Sequence, residues 1–310
     1  MTPTLTLESV LPALPEIYLA IAVCVVLLVD VFVGRAATRV TPTLTLLVLA
    51  AGAGLLLAFA QVPSTVELFS GMYVTDPLAN LLKLLAMLFV AVSLLYSRHY
   101  LETRGLLKGE YYVLVLTALL GIFVMISAGS LLTMYIGVEL LALSLYALVA
   151  FDRDNGVAAE SAMKYFVLGA IASGCLLYGM SLVYGLGGSL LFSELAVALQ
   201  GPASLGLIMG VVFLVVGVAF KFGAVPFHMW VPDVYHGAPS SVTLFVATAP
   251  KIASFALAFR LLAGGLEGIS ETWTQMLAIV AVLSALVGNV VAIAQTNLKR
   301  MLAYSAVGNV

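Results

Sequence analysis

The sequence predicts an all-α fold, a polytopic bundle of about ten membrane-spanning helices. Hydrophobic residues make up 63% of the 310 residues and charged residues only 9%, whereas soluble domains contain about a quarter charged residues. Apolar runs of about 20 residues, long enough to cross a bilayer, recur along the whole chain. The basic residues between these runs fall in alternate connections, as expected when odd-numbered and even-numbered connections lie on opposite faces of a membrane.

Ten apolar segments define the predicted spans. Their limits are 12–33, 42–62, 77–96, 111–128, 131–151, 161–184, 204–226, 239–262, 272–295 and a tenth segment that begins at 298. The final residues, 303–310, are apolar and carry no polar tail. We therefore expect the chain to be incomplete at its C-terminus, within the tenth span.

The distribution of lysine and arginine predicts the orientation of the spans. Connections after the first, third, fifth and ninth spans are basic, and those after the second, fourth, sixth and eighth contain no Lys or Arg. The connection after the seventh span is the exception, because it should be cytoplasmic yet contains no Lys or Arg. Positive connections stay in the cytoplasm, so we expect the N-terminus on the periplasmic side. The basic residues concerned are Arg35, Arg39, Arg98, Arg104, Lys108, Arg153, Lys299 and Arg300.

The seventh predicted span ends in a segment rich in proline and aromatic residues. Residues 221–239 contain Pro226, Pro232 and Pro239, and proline removes a backbone donor and clashes with the preceding helical turn. The seventh helix should therefore break near residues 223–226. Broken backbone at membrane depth is tolerated where protein buries it or where it lines a wet cavity, and such breaks are common at transport sites.

Three charged residues lie near the middle of predicted spans: Glu139, Lys221 and Lys251. A charge at the bilayer centre costs at least about 2.5 kcal/mol, so each is a candidate functional residue. Carboxyl and amino groups of both signs in one chain favour a path for protons or ions. The alternative for each residue is structural, as a hydrogen-bonded carboxyl between helices or a permanent ion pair.

The neighbours of these residues favour positions inside the bundle. Glu139 shares a helical face with Tyr135 and Tyr146, and Lys251 shares one with Thr248 and Ser254. Lys221 follows Gly210 and Gly217, which permit close helix approach. Pro250, predicted inside the eighth helix, should free a backbone carbonyl that can hold water.

Other polar residues are weaker candidates. Lys164, near the cytoplasmic end of the sixth span, and His228, beside the break, could pass protons inward, although snorkelling or a structural hydrogen bond also explains them. Near span ends, Lys83 and Asp30 are predicted to be interfacial, and Arg260 to be an anchor.

The sequence contains no recognisable cofactor site. Cys24 and Cys175 lie in different apolar segments without a CxxC or Cys/His partner, which disfavours a metal centre or disulfide. No glycine-rich phosphate loop and no basic stripe for nucleic acid is present. We therefore expect no cofactor in this chain and no nucleic-acid partner.

Residues 221–243, KFGAVPFHMWVPDVYHGAPSSVT, resemble the signature of the antiporter-like membrane subunits of respiratory complex I. Supporting matches are Pro15-Glu16, residues 135–139, residues 249–253 and residues 297–305, and the resemblance covers essentially the whole chain. Within this family the chain is most similar to the subunit N branch of bacterial NADH–quinone oxidoreductase.

The resemblance implies two inverted five-helix repeats, each with a broken helix, within about fourteen membrane helices. It implies an N-terminal region of membrane helices, 1–128, and an antiporter-like proton-translocation domain, 129–310, whose second repeat is truncated. Glu139 matches the glutamate that pairs with the lysine of the broken helix, Lys221, and Lys251 matches the next lysine of the central polar axis. A further lysine of the family's second half lies beyond this sequence.

The resemblance also implies a function and its setting. We expect a non-redox, proton-translocating subunit of NADH:quinone oxidoreductase in the bacterial inner membrane, beside other complex I membrane subunits and lipid. FMN, iron–sulfur clusters, NADH and quinone are expected in partner subunits. Two alternatives remain: a subunit of a multi-subunit sodium/proton antiporter, and a structural spacer between other subunits.

Overall fold

The computed structural model describes residues 10–34, 37–59 and 64–310, which are predominantly helical. In the first part of the chain, a short 3-10 turn (Leu11–Ala13) leads into the first helix. The elements that follow are α1 (Leu14–Val33), α2 (Ala37–Phe59), β1 (Val66–Leu68), β2 (Tyr73–Thr75), α3 (Pro77–Thr103), α4 (Gly109–Ile126) and α5 (Leu131–Val149).

The second part of the chain contains long helices interrupted by short ones. These are α6 (Gly156–Gly187), α7 (Phe192–Ala198), α8 (Leu205–Phe222), α9 (Trp230–Gly237), α10 (Ser240–Val246), α11 (Ala249–Ala258), a π-helical turn (Phe259–Gly265), a 3-10 turn (Glu267–Ile269), α12 (Ser270–Ile293) and α13 (Leu298–Gly308).

The chain forms two compact units, Met1–Ser144 and Leu145–Val310. In the first unit, α1 packs against α2 and α4, and α3 packs against α2 and α4. In the second unit, α6 packs along α8, α12 packs along α13, and the short α9 contacts both α6 and α13.

The predicted fold class, an all-α bundle of membrane helices, is confirmed. Nine helical stretches of the described residues are long and apolar enough to span a membrane. The predicted tenth span corresponds to α13, which has 11 residues. Residues 60–62 of the second predicted span, and Arg35 in the first basic connection, lie outside the described residues.

The predicted break in the seventh span is present, because α8 ends at Phe222 and the chain resumes as α9 at Trp230. The eighth predicted span, expected to be one continuous helix, is also divided, between α10 and α11. Pro250 lies in the first turn of α11, where its missing N–H has no intrahelical partner to lose, and not inside a continuous helix as expected. The expectation of a carbonyl freed by Pro250 within a helix was therefore wrong.

Lys83, which was predicted to be interfacial from its position near a span end, is buried inside the first unit. Its side chain is 0% exposed and forms a 2.5 Å ion pair with Glu16. Snorkelling is impossible for this side chain because the other segments of the first unit enclose it. The pair lies beside a hairpin in which β1 and β2 pair antiparallel, with Leu68 opposite Tyr73.

Close packing between α6 and α8 rests on small residues. A Cβ added at Gly179 of α6 would lie 2.8 Å from both the Gly210 carbonyl oxygen and the Leu214 nitrogen of α8. A Cβ at Gly217 would lie 2.8 Å from the Leu176 side chain. These contacts confirm the prediction that glycines bring a helix close to the segment carrying Lys221.

Gly179→Ala should lower the stability of the protein by about 1–3 kcal/mol, because the new methyl group meets backbone atoms that cannot move without separating the helices. The midpoint of thermal unfolding in detergent measures the effect. Gly174→Ala in the same helix is the matched control, since an added Cβ there meets nothing within 4 Å and alanine favours the helix. Equal midpoints for the two variants would contradict the packing account.

Candidate functional site

The C-terminal end of α8 is a defined turn in the second unit. Gly223 adopts a left-handed conformation with φ of 76°, which glycine reaches without steric cost. The Ala224 N–H then bonds the Ala219 carbonyl at 2.8 Å and the Gly223 N–H bonds the Phe220 carbonyl at 2.9 Å. This pattern ends a helix and satisfies part of its unpaired carbonyls. The next free amide, Val225, donates to Ser284 Oγ of α12 at 2.9 Å.

Three successive carbonyls at this helix end accept hydrogen bonds from side chains of later elements. Trp230 Nε1 of α9 donates to the Phe220 oxygen at 3.0 Å, and Ser254 Oγ of α11 donates to the Lys221 oxygen at 3.1 Å. The Lys251 ammonium, also of α11, donates to the Phe222 oxygen. The broken backbone is therefore satisfied within the protein, as the bilayer interior requires.

The position of Lys251 has an electrostatic reason. It occupies the first turn of α11, where the partial positive charge of its own helix disfavours a cation. Its ammonium instead contacts the C-terminal end of α8, where the partial charge is negative and a cation is stabilised. The break in the eighth span at Thr248 therefore places a lysine at the break in the seventh.

The structure places the Lys251 ammonium on the backbone of the helix end that carries Lys221. Lys221 belongs to the last turn of α8, and Lys251 bonds the carbonyl of the very next residue, Phe222. Both lysine residues are only partly exposed. Glu139 is partly buried on α5 in the first unit, one turn after Tyr135, and its pairing with Lys221 stays a prediction.

Trp230 links the break to α6. Its ring stacks on Tyr165 with 4.6 Å between centroids and an interplanar angle of 17°, and it also contacts Phe220 at 5.6 Å. Tyr165 in turn meets Tyr146 edge-on at 4.8 Å. The indole therefore fixes the start of α9 against both neighbouring helices while its N–H caps α8.

A charged cluster fastens α9 beyond the break. Asp233 accepts from Lys164 Nζ of α6 at 3.1 Å and from Arg300 of α13 at 2.8 Å, and Lys164 also pairs with Glu160 at 2.9 Å. Burial acts to raise the pKa of Asp233, but the hydrogen bonds and charges of Arg300 and Lys164 outweigh it and lower that pKa below 3.8. Lys164 is therefore an ion-pair partner of α9.

His228 lies in the seven-residue connection 223–229 between α8 and α9. Its ring lies 6.1 Å from that of Tyr304, and its Nδ1 is buried without a hydrogen-bond partner among the described residues. Burial lowers the pKa of His228, and a hydrogen bond with the Pro226 backbone partly offsets this. The neutral imidazole is therefore favoured at neutral pH, a form that can accept a proton.

Sequence reasoning missed Trp230, Ser254, Asp233 and Arg300 as site residues. All four lie in or beside segments that had been singled out, but hydrogen bonds to backbone carbonyls and ion pairs between distant residues leave no pattern in a sequence. Over the described parts of the chain, no group of three His, Cys, Asp or Glu side chains could hold a metal ion.

Asp233→Asn should lower stability by about 1 kcal/mol at pH 7, because it removes both ion pairs that hold α9. A carboxylate with a lowered pKa stabilises the fold above its ordinary value of 3.8 and loses this contribution as the pH falls through its folded value. The difference from wild type in thermal unfolding should therefore shrink on acidification. Glu160→Gln, which removes one exposed ion pair, is the control; an equal or larger effect there would refute the assignment.

Comparison with known proteins gives consistent matches. Residues 128–310 match the family model described as "NADH:quinone oxidoreductase/Mrp antiporter, TM". NADH-quinone oxidoreductase subunit N of Thiobacillus denitrificans is 54% identical over 312 aligned residues, covering 100% of this chain and 64% of that protein. The name of this relative agrees with the branch that residues 221–243 had indicated.

Two solved structures share the fold. A chain in respiratory complex I from Thermus thermophilus with bound aureothin is 34% identical with a TM-score of 0.77, covering 95% of this chain and 62% of that one. A chain of the Mrp complex from Dietzia sp. DQ12-45-1b is 22% identical with a TM-score of 0.81, covering 98% and 57%, and at that identity the likeness concerns the fold alone.

The chain spans less than two thirds of the length of these relatives. The family match nevertheless covers more than half of this chain, including α8, the break and α11. The chain therefore belongs to the NADH:quinone oxidoreductase/Mrp antiporter family of transmembrane proteins.

Proposed function

We propose that this chain is a proton-translocating membrane subunit of a bacterial NADH:quinone oxidoreductase and performs no redox chemistry itself. The observation that carries the proposal is the contact of the Lys251 ammonium, which belongs to the next candidate membrane span, with the Phe222 carbonyl, beside Lys221, where the span formed by α8 ends. Relatives with the subunit N name supply the identity of the complex.

Two lysines at one helix end provide a route for a single proton. If both ammonium groups carried charge, they would repel each other, so a proton arriving on one lysine favours departure of a proton from the other. The free end of α8 offers each lysine partial negative charge from its carbonyls. Glu139, as the carboxylate partner of Lys221, would hold Lys221 protonated until the charge balance around the pair changes.

The cytoplasmic supply of protons is assigned to the connection between α8 and α9. His228 has a buried ring nitrogen that can accept a proton, and it lies within this connection, before Trp230. Lys164 contributes by holding Asp233 and hence α9, which keeps Trp230 on the α8 carbonyl. Lys164 is thus a positioning residue for the route.

The energy for translocation would come from partner subunits, in which FMN, iron–sulfur clusters, NADH and quinone are expected. Moving one charge against the membrane potential costs about 2.3 kcal/mol per 100 mV. The arrangement of Lys and Arg predicts a periplasmic N-terminus, so protons would leave on the face where residues 64–76 and 127–130 lie. Neighbouring antiporter-like and small membrane subunits, and lipid, would surround the chain.

Lys221→Ala in the full-length subunit of the assembled complex should abolish proton transfer by this route. Side chains that act as general acids and bases contribute roughly 10²–10⁴-fold, so the flux should fall by about two orders of magnitude. Proton uptake by vesicles during NADH oxidation measures it, with Lys108→Ala in an exposed connection as control. Unchanged pumping by Lys221→Ala rules the proposal out; sodium-dependent exchange without NADH would favour the antiporter alternative.

Trp230→Phe should reduce proton translocation relative to NADH oxidation, because the indole N–H no longer caps the Phe220 carbonyl while the ring still stacks on Tyr165. Trp273→Phe is the matched control: its indole donates to the Leu266 carbonyl at 3.0 Å, away from the break. Both variants lose one hydrogen bond of about 1 kcal/mol. Equal proton-to-electron ratios in the two variants would exclude a role for the α8 cap.

A further inference from the structure

A second buried acid–base pair lies in the first unit, outside the site at the helix break. Lys83 of α3 is 0% exposed and Glu16 of α1 is 12% exposed, with 2.5 Å between Nζ and Oε1. The carboxylate also accepts from Tyr73 at 2.9 Å and from Ser127 at 3.0 Å. Three other chain segments thus contact this one carboxylate of α1.

Stability alone does not account for this pair. A buried ion pair costs so much desolvation that apolar residues of similar volume are often as stabilising or more so, whereas removal of one partner costs about 3–5 kcal/mol. The free energy of folding therefore gives no reason for an ion pair at this position, whereas fixing a register or carrying a proton would require one.

The surroundings of the pair favour a role in carrying a proton. Of the three groups that contact the Glu16 carboxylate, Tyr73 and Lys83 each have a second interaction partner nearby. Tyr73 has one hydroxyl hydrogen and two acceptors at 2.9 Å, the Glu16 carboxylate and the Pro12 carbonyl. Lys83 also contacts the Tyr73 oxygen at 3.3 Å and lies over the Tyr73 and Phe123 rings, 5.4 and 5.8 Å from their centroids. Neutralising Glu16 would leave the tyrosine and the ammonium with partners.

The position of the pair at the ends of several helices suits exchange of a proton between Glu16 and water. Glu16 lies in the first turn of α1, Ser127 follows the last residue of α4, and Tyr73 belongs to the hairpin, so the cluster lies at one set of helix ends. Lys83 is six residues into α3, about 9 Å from its start. The carboxylate is the partly exposed member of the pair, and the lysine is the enclosed one.

We propose that Glu16 and Lys83 form a second protonatable site of this chain, at which a proton from the adjoining aqueous face is held on Glu16. Loading forms one O–H bond on a Glu16 oxygen and converts the zwitterionic pair into a neutral carboxyl beside the Lys83 ammonium. The Tyr73 hydroxyl then donates to Pro12. Release breaks the same O–H bond, returns the proton to water and restores the ion pair.

Tyr73 is the titratable side chain that contacts both members of the pair. Burial, reinforced by the negative charge of Glu16, raises the pKa of Tyr73 well above its usual value. The phenol therefore stays protonated and acts as a donor in both states of the site. Asp76, at the start of α3, is engaged by the Ala79 N–H as the cap of that helix.

Infrared difference spectroscopy of the assembled complex, triggered by reduction with NADH, tests the site. This inference rests on the proposed function for the driving reaction. The wild type should show a change in the C=O stretching band of a protonated carboxyl. That change should be lost in Glu16→Gln and kept in Glu67→Gln, which alters an exposed glutamate of the same hairpin. Glu16→Gln spectra identical to wild type would overturn the proposal.

Glu16→Gln alone leaves the buried Lys83 ammonium without its carboxylate, which could prevent assembly of the complex. The double variant Glu16→Gln/Lys83→Met removes both charges and avoids this. If the assembled double variant keeps the wild-type change in the carboxyl band, the proposal is also overturned. A wild-type complex without any carboxyl band overturns it whatever the variants do. Lys221→Ala pumping, measured in parallel, reports on the proposed function separately: loss of pumping with no Glu16 signal contradicts only the second site.

Discussion

The contact between the Lys251 ammonium and the Phe222 carbonyl organises the second unit, because it resolves two problems of a membrane interior at once. A helix that stops at membrane depth leaves carbonyls without partners, and a lysine at the same depth lacks water. Each group satisfies the other. The breaks in two consecutive spans are consequently one feature of the fold, since α11 begins at Ala249, with Pro250 in its first turn, and its first-turn lysine reaches the end of α8.

Other parts of the second unit hold this contact in place. Ser254 and Trp230 take the neighbouring carbonyls, and close packing at Gly179 and Gly217 keeps α6 against α8. Asp233 then ties α9 to α6 and α13 through Lys164 and Arg300. Because these contacts use backbone carbonyls and ion pairs together, the titratable lysines lie on a rigid frame. Positions that are fixed in this way suit proton transfer, which requires short and reproducible distances.

Composition and charge placement predicted much of the fold, for physical reasons. The length and apolar content of a segment predict a membrane span because they must match the thickness of the bilayer. Pro226 predicts a helix break because proline cannot donate the backbone hydrogen bond of a helix. Position along a span, however, does not tell whether a side chain faces lipid, protein or water. Lys83 was predicted from its place near a span end, yet its side chain is fully buried against Glu16, Tyr73 and Phe123. Contacts between residues far apart in sequence, such as Glu16 with Ser127, have no local signature.

The site at the break and the Glu16–Lys83 pair have one feature in common. In each, a buried or partly buried lysine contacts neutral polar or aromatic groups. At the break Lys251 has a helix-end carbonyl, and in the first unit Lys83 has two aromatic rings and a phenol oxygen. A map of the assembled complex that resolves ordered water tests the central claim most directly. We predict a thread of water and polar side chains joining Glu139, Lys221 and Lys251; the same side chains facing acyl chains, with no water between them, would contradict it.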